Sequence, residues 1–397
     1  MAQAFLQRSR NSRAVTSFRP ALDGIRVLEL GSSVAGPAAG RLLADLGADV
    51  IKVEPPEGDG LRTWGKAGPD GTGWWFKSHN RNKRFVSYDL HRAEDRATVR
   101  ALALSSDVVL ENFRPGRLAE WGLGYDDLRA ERPGLIYASI SGYGQDGRYR
   151  DRPGFGNIAE SMGGLRHITG DPDGPPMRVG ISLGDELGAL YCVVGILAAL
   201  RARERDGVGD WIDVSLLESV FAMMQGVLPE YDALGIVRER RGNTLDAVGP
   251  SNIYPTADDR WIAIGANANS IFRRLCTLMQ MPELAADARF TGNRERTENS
   301  DAIDAIVAAW TKNFTLAALT DMLAAAGVPA GPVRSIADIV DDPHSHERGI
   351  VSHVLDDDGN AVATNHPVTR FRNRPTVLSH AARAIGADTA AVERTIG

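Results

Sequence analysis

The chain has 397 residues, 43% of them hydrophobic and 24% charged, with a formal net charge of −6. That length accommodates two domains and a large core, so neither disulfides nor a structural metal is needed to hold the fold. The acidic balance argues against a general nucleic-acid binder, and an anionic ligand must be held by local features and not by the overall field.

The chain-order pass begins at residues 1–21, which carry Arg8, Arg10, Arg13 and Arg19 and no acid. They read as a flexible basic arm, with a mitochondrial targeting segment as the alternative. The expected location is accordingly cytoplasmic, or else the mitochondrial matrix. Next, "IRVLEL" reads as a buried strand, "AAGRLLADLG" as a helix ending at Gly47, and "ADVIKVE" as a second strand. The helix "EDRATVRALALSS" precedes the strand "DVVLEN", and the helix "GYDDLRAERP" precedes the strand "LIYASISGYG". Strands alternating with helices imply right-handed βαβ units and a parallel sheet. A long helix, "DELGALYCVVGILAALRARERDG", is followed by a strand running into a helix in "DWIDVSLLESVFAMMQ". The apolar run 187–200 inside that helix falls short of the roughly 20 residues of a membrane span, so no membrane segment is expected. Cys192 and Cys276 read as buried thiols in a reducing compartment.

Beyond about residue 225 the pattern changes. "RERRGNTLDAVGPSNIYPTADD" reads as an exposed linker, "RWIAIGANANSIFRRLCTLM" as strand, loop and helix, and "SDAIDAIVAAWTKNFTLAALTDMLAAAG" as two helices capped by Gly327. "VPAGPVRSIADIVDDPHSHERG" is linker-like, and "GIVSHVLDDDGNAVATNHPVTRF" carries a hairpin signal. The expected organisation is an α/β, Rossmann-like large domain over 22–225, a linker over 226–259, a smaller α+β domain over 260–331, and a linker with returning segments over 332–397.

Four motifs bear on chemistry. The turn "GSSVAGPAAG" places glycines at Gly31, Gly36 and Gly40, which breaks the G-x-G-x-x-G dinucleotide fingerprint. Gly31 and Gly36 have P-loop spacing, but Pro37 and Ala38 stand where Lys and Ser or Thr are required. The turn still brings backbone N–H groups and a helix start to the top of a sheet, where an anionic phosphate chain binds. Glu54 imitates the ribose-binding acid of NAD enzymes, a coincidence of little weight beside a broken fingerprint. "GISLG" matches the nucleophile elbow of serine hydrolases, with Ser182 as nucleophile and His366 as a downstream base. Asp185 follows at the start of the long helix. It reads as an N-cap, yet that position equally suits a nucleophile: ionised, at the positive end of a helix dipole and in need of no general base. "NRNKR" (80–84) reads as a solvated edge or as charge around a phosphate, and His344 with His346 are too few for a metal site.

Taken together, "GIRVLELGSSVAGPAAGRLLADLGADVIKVEPPEGD", "NRNKR" with "SYDL", "ENFRPG", "LIYASISGYGQDG", "ITGDPDGPPMRVG" and "GDELGALYCVVGILAALRARERDGVGDWIDVSLLES" resemble the family III CoA-transferases. The resemblance runs from Leu22 to about Gly349. It implies Asp185 as the nucleophile of a ping-pong exchange through an aspartyl-CoA thioester, with CoA as substrate, no tightly bound cofactor and no metal. It implies CoA contacts from Val34, Ala35, Tyr88, His91, Asn112, Phe113, Arg114, Arg152, Pro153 and Phe155. It also implies a substrate loop of Gly265, Ala266, Asn267, Ala268 and Asn269, and an interlocked homodimer.

Three departures from the family pattern stand out. His91 replaces a frequent lysine and Glu120 stands near a usual basic position, so Arg114, Arg117 or "NKR" is expected to compensate at the 3′-phosphate. Gly156 stands where relatives often carry an acid, removing a partner for Asp185. The asparagine-bearing loop is similar to those of succinyl-CoA users. It therefore implies succinyl-CoA as donor and a dicarboxylate or hydroxy-dicarboxylate as acceptor, its second carboxylate received by Arg62, Arg166 or Arg178. Opposed to this stand formyl-CoA or carnitine-type transfer, an acyl-CoA racemase, a serine hydrolase using Ser182, and a non-catalytic acyl-CoA-binding protein.

Overall fold

The structure, a computed structural model, describes residues 18–246 and 248–396. Most of the expected basic arm therefore lies outside the described residues. The chain folds as two compact units: one spans residues 1–165, 179–228 and 349–397, the other 166–178 and 229–348.

The first unit is built on β1 (Arg26–Glu29), β2 (Asp49–Glu54), β3 (Arg84–Ser87), β4 (Val108–Glu111), β5 (Ile136–Ser141) and β6 (Trp211–Ser215). All neighbours pair in parallel, in the order β3-β2-β1-β4-β5-β6. The winding reverses between β1 and β4, and open α/β sheets place their ligand crevice at such a switch point. Crossover helices cover both faces, which is why the central strands read as apolar runs without polar alternation.

Successive residues still point to opposite sides. Val27, Val50, Val108 and Ile136 pack into one core with α1 (Ala35–Asp45) and α5 (Leu183–Asp206). Leu28, Ile51, Val109 and Tyr137 pack into a second core with α3 (Ala93–Ser105). Three further helices of this unit are α2 (Trp74–His79), α4 (Gly156–Met162) and α6 (Leu216–Phe221).

The helix α5 differs from its sequence-based expectation in two ways. Its 24 residues are long and apolar enough to cross a membrane by length and composition, whereas the run 187–200 alone was expected to be too short. Its inner face (Cys192, Ile196 and Leu200) nevertheless packs into the core, as in a central helix of an α/β layer. It also begins two residues earlier than expected. Ser182 is the N-cap, without a side-chain bond, and Asp185 lies inside the first turn and is not the cap.

The last segment returns to this unit. The hairpin Val351–Leu355 with Ala361–Asn365 turns at Gly359, as its Asp-Gly-Asn sequence predicts. Asp388 accepts the Phe85 N–H at 2.9 Å, so the C-terminal residues cover the β3 edge.

The second unit holds an antiparallel sheet, β7 (Ser251–Pro255), β8 (Trp261–Gly265) and β9 (Ala330–Pro332), in that order. Helices α7 (Asn269–Leu278), α8 (Ser300–Thr311) and α9 (Leu316–Ala325) share its core with Tyr254, Ile262 and Ile264. Two stretches expected as linkers carry structure here. β7 lies within 226–259, and the segment after Gly331 forms the short helices Ile336–Asp341 and Pro343–Arg348. Polar, Pro-rich composition hid these elements because they are short and mostly exposed on one side.

Candidate active site

The turn after β1 is held from below by a buried charge lattice. Lys52, with no exposed surface, donates to the Gly31 carbonyl at 2.7 Å and pairs with Glu29 at 3.1 Å and Asp59 at 3.0 Å. Asp59 in turn accepts the Ser33 N–H at 3.1 Å, where the backbone runs at φ 61. Burial opposes the charge on Lys52, but Glu29 and Asp59 outweigh it and raise its pKa above the ordinary value. Asn112 clasps the same turn, accepting the Ser32 N–H at 2.8 Å and donating to the Ser32 carbonyl at 2.9 Å.

The displaced glycines follow from this packing. Gly31 and Gly36 touch, so a Cβ on either would meet the other's Cα at 3.0 Å. A Cβ on Gly40 would lie 1.9 Å from the Glu29 carboxylate. The third glycine thus makes room for a buried acid and not for a pyrophosphate.

"NRNKR" is a correction. Asn80, Arg81 and Lys83 are fully buried. Lys83 pairs with Glu29 at 2.7 Å and donates to the Pro37 carbonyl and the Asn80 side chain, while Arg81 grips Asp45 at 2.6 Å. Burial pulls Lys83 down to about 8. These side chains tie α1 to the sheet and cannot reach a 3′-phosphate, which leaves the exposed Arg114 and Arg117. Glu54 is likewise engaged: Arg62 binds both its oxygens, at 3.0 and 2.7 Å. Arg62 also donates to the Arg383 carbonyl and stacks on Phe76 at 3.9 Å, so its charge is not open to an acceptor carboxylate.

Above this lattice, at the carboxyl ends of β1 and β2, lies the crevice. Gly31, Ser32, Pro55, Tyr88, His91, Phe113 and Trp121 line it. Three of the expected CoA contacts, Tyr88, His91 and Phe113, are therefore together. The Tyr88 hydroxyl donates to Glu393 at 3.0 Å, and Trp121 meets His91 and Phe113 edge-on at 5.4 and 5.9 Å. Trp121 was missed in the sequence; its only signal was an aromatic in "AEWGLG". Val34 and Ala35 are 4% and 2% exposed, and the Val34 side chain packs on Leu61, Phe76 and Phe85. Their side chains face the core, so backbone is all they can offer a ligand.

Arg152, Pro153 and Phe155 form the approach to α4. Arg152 stacks on Tyr149 at 4.0 Å, and Phe155 is 68% exposed. Asp185 sits at the end of this approach. A Cβ added to Gly156 would lie 2.3 Å from the Asp185 carboxylate, and the Gly156 backbone favours its ionised form. Gly184 is equally constrained, because its Cβ would lie 2.8 Å from the Gly156 carbonyl oxygen. Gly156 was expected to deprive Asp185 of a partner; its backbone is a partner, and only glycine admits the carboxylate.

Two more acids adjoin this carboxylate, and the side chains of His79 and Arg41 stand beside them. Glu160 is buried on α4 and accepts the Gly184 N–H at 3.2 Å. Glu186 meets His79 Nε2 at 2.9 Å and Arg41 at 3.5 Å. His79 Nδ1 lies 2.9 Å from the Trp75 carbonyl oxygen, so both ring nitrogens are held by neighbouring oxygens. Burial first, then Glu160 and Glu186, push Asp185 up to about 6, against the Gly156 N–H and His79. Burial also opposes the charge on Glu186, but His79 and Arg41 hold its pKa below the ordinary value. Glu160, Glu186, His79 and Arg41 gave no local sequence signal, because they meet only through the packing of α1, α2, α4 and α5.

The hydrolase constellation does not form. Ser182 caps α5, while the His366 ring lies 3.2 Å from Ser352 Oγ, with Arg370, Arg81 and Asp45 around it. His344 and His346 lie on Pro343–Arg348, and among the described residues no group of three or more His, Cys, Asp or Glu is placed to hold a metal.

In the second unit, Gly265 ends β8 and Ala266 is buried, with its N–H on the Pro250 carbonyl. Asn267, Ala268 and Asn269 are exposed at the start of α7. The fully buried Arg296 fixes this loop, donating to the Asn267 carbonyl at 2.6 Å, Asn269 Oδ1 at 2.9 Å and the Gly249 carbonyl at 2.8 Å. Arg166 and Arg178 also belong to the second unit.

The chain is thus an α/β protein with a doubly wound sheet, an open crevice at its switch point, and a buried carboxylate raised toward neutrality at the start of a core helix. Residues 22–389 match the sequence model of CoA-transferase family III. The chain belongs to that family and is a CoA-transferase. It is 47% identical over 366 residues to the succinyl-CoA–D-citramalate CoA-transferase of Chloroflexus aurantiacus, covering 92% of this chain and 91% of that one. It is 36% identical to the succinate–glutarate CoA-transferase of Agrobacterium fabrum, over 95% of this chain and 98% of that one. Among solved structures, a CAIB/BAIF family protein from Brucella suis superposes with a TM-score of 0.85 at 36% identity, covering 96% of this chain and all of that one.

Proposed function

We propose that this CoA-transferase moves CoA from succinyl-CoA to a second dicarboxylate through an aspartyl-CoA thioester on Asp185. The observation that carries the reading is the Asp185 carboxylate: seated on Gly156, inside the first turn of α5 and raised to about 6 by burial and neighbouring acids. It is ionised at neutral pH yet more basic than an ordinary aspartate, which suits a nucleophile. The donor and the acceptor class are supported by the relatives named for citramalate, malate and glutarate, all dicarboxylates.

In this scheme Asp185 attacks the succinyl thioester, giving a succinyl-aspartyl anhydride and CoA thiolate. The thiolate attacks the aspartyl carbonyl, forming the aspartyl-CoA thioester and releasing succinate. The acceptor carboxylate then attacks that thioester, expelling thiolate and forming a second anhydride. Attack of the thiolate on the acceptor carbonyl delivers acceptor-CoA and restores Asp185. No net proton is consumed, and holding both partners supplies effective molarity. The crevice by Tyr88, His91, Phe113 and Trp121 would hold the adenosine end of CoA, the phosphates lying near the backbone of the β1 turn.

The working form in this proposal is an interlocked homodimer. Leu190, Tyr191, Val194 and Leu197 form an exposed apolar stripe on α5, Val194 being 63% exposed, and such a face suits a second copy. The decisive test is mass spectrometry after incubation with succinyl-CoA. A CoA adduct on the Asp185 peptide, retained in Ser182→Ala and lost in Asp185→Asn, supports the scheme. Labelling at Ser182, or reversible binding with no adduct, overturns it.

A further inference from the structure

The part of the crevice that Tyr88 lines stands beside the open edge of the large sheet. β3 is the terminal strand of that sheet, so one side of its backbone has no neighbouring strand. The C-terminal residues take that side. Asp388 donates its N–H to the Phe85 carbonyl at 2.8 Å and accepts the Phe85 N–H at 2.9 Å, and Thr389 Oγ1 accepts the Ser87 N–H at 3.2 Å. These groups stand in for a further strand and satisfy the edge. Tyr88 follows directly. Its N–H donates to the Glu54 carbonyl at 2.9 Å, and its hydroxyl donates to Glu393 at 3.0 Å. Tyr88 is buried and shares one core with Leu30, Val86 and Val392. A buried phenol needs a hydrogen-bond partner. Here the acceptor is an exposed carboxylate at the end of the helix Thr389–Glu393, 305 residues further along the chain.

We propose that Glu393 is a positioning residue for the CoA crevice, fixing the Tyr88 ring as one of its walls through the phenol hydroxyl. This rests on the reading of the crevice as the CoA site. Tyr88 lines the crevice and Glu393 does not, so Glu393 acts on a ligand through the ring that it holds. The other aromatic side chains there brace one another, Trp121 meeting His91 and Phe113 edge-on, whereas Tyr88 is anchored by its hydroxyl. Without the acceptor the hydroxyl is drawn towards water, and the ring loses the fixed orientation that a flat nucleobase packs against. The effect falls on CoA affinity and not on the chemical step, because Asp185 is surrounded by residues of α2, α4 and α5.

The test measures CoA affinity by calorimetric titration, with KM and kcat for succinyl-CoA, in full-length variants. Glu393→Ala is expected to raise the Kd and KM about fivefold and to leave kcat unchanged. Glu393→Gln keeps an acceptor for the hydroxyl and should stay within about twofold of the unmodified enzyme. Tyr88→Phe should match Glu393→Ala, and adding Glu393→Ala to Tyr88→Phe should weaken binding no further. An unchanged Kd in Glu393→Ala, even with a lowered melting temperature, overturns the proposal. So does a Glu393→Gln enzyme as weak as Glu393→Ala, or a full further loss when Glu393→Ala is added to Tyr88→Phe. His91→Asp separates the two levels, since it places a carboxylate at an exposed position in the crevice, where it would repel CoA phosphates. An unchanged Kd there overturns the crevice as the CoA site and this inference with it. A weakening of about tenfold or more there, alongside an unchanged Kd in Glu393→Ala, overturns this inference alone.

Discussion

Two buried charge clusters sit in the same unit and behave in opposite ways. Under the β1 turn, Lys52 and Lys83 interleave with Glu29 and Asp59, and Arg62 closes on Glu54. Beside Asp185 lie the carboxylates of Glu160 and Glu186, and Glu186 engages His79 and Arg41. In the first cluster opposite charges offset burial, so Lys52 stays charged, and Asp59, which burial opposes, is held below its ordinary pKa by Lys52. In the second, burial and like charges act together and lift Asp185 to about 6. Burial with pairing keeps charges in place; burial with like charges raises a carboxylate's pKa.

The largest expected effect lies in the second cluster. Asp185→Asn should lower turnover by at least about 10³-fold, with CoA still bound, as read from a thioester-exchange assay alongside calorimetric titration. Turnover close to that of the unmodified enzyme would remove the reactive half of the contrast. In the first cluster Lys52→Met leaves two buried carboxylates with a lost partner. A destabilisation of about 3–5 kcal/mol is expected, measured by chemical unfolding.

Gly156→Ala and Gly40→Ala sharpen the distinction, because both push a methyl into a carboxylate. At Gly156 the methyl meets both the Asp185 carboxylate and its backbone nitrogen, so kcat should fall on the order of 10²-fold in addition to a loss of stability. At Gly40 the carboxylate is Glu29, and the loss should fall on stability alone.

The smallest effects are pH-dependent. In the proposed mechanism Asp185 attacks as a carboxylate, so the acid limb of kcat/KM should lie near pH 6. The same raised pKa means that the unfolded chain ionises Asp185 first, so native stability declines as pH rises from about 4 to about 6 and the penalty is complete above that. Asp185→Asn should therefore gain about 1–2 kcal/mol at pH 8 and nothing at pH 4, by thermal unfolding at both values. Equal shifts at the two pH values would show that Asp185 is not strained in the native state.

Much of the fold was legible. "IRVLEL", "ADVIKVE", "DVVLEN" and "LIYASIS" became β1, β2, β4 and β5, since buried parallel strands must be apolar on both faces. The strand β7 was not legible, because it lies in a polar, turn-rich stretch. Among the candidate site residues, Tyr88, His91 and Phe113, named from motif order, line one crevice. "NRNKR" was misread because a run of cations looks solvated unless its partners are known, and those partners, Asp45 and Glu29, lie well upstream on α1 and β1.

The sequence by itself determined the alternation of strands and helices, the broken phosphate fingerprint and the presence of an aspartate near the start of the longest helix. Those are local properties, written in spacing and side-chain polarity. Only the tertiary structure decided which charges are neutralised and which are not. Lys52 meets Glu29 across 23 residues of chain, and Arg62 reaches the Arg383 carbonyl across 321. Whether a buried carboxylate becomes scaffold or nucleophile depends on those distant neighbours, since its charge is stabilised or raised in energy only by what packs within a few ångströms.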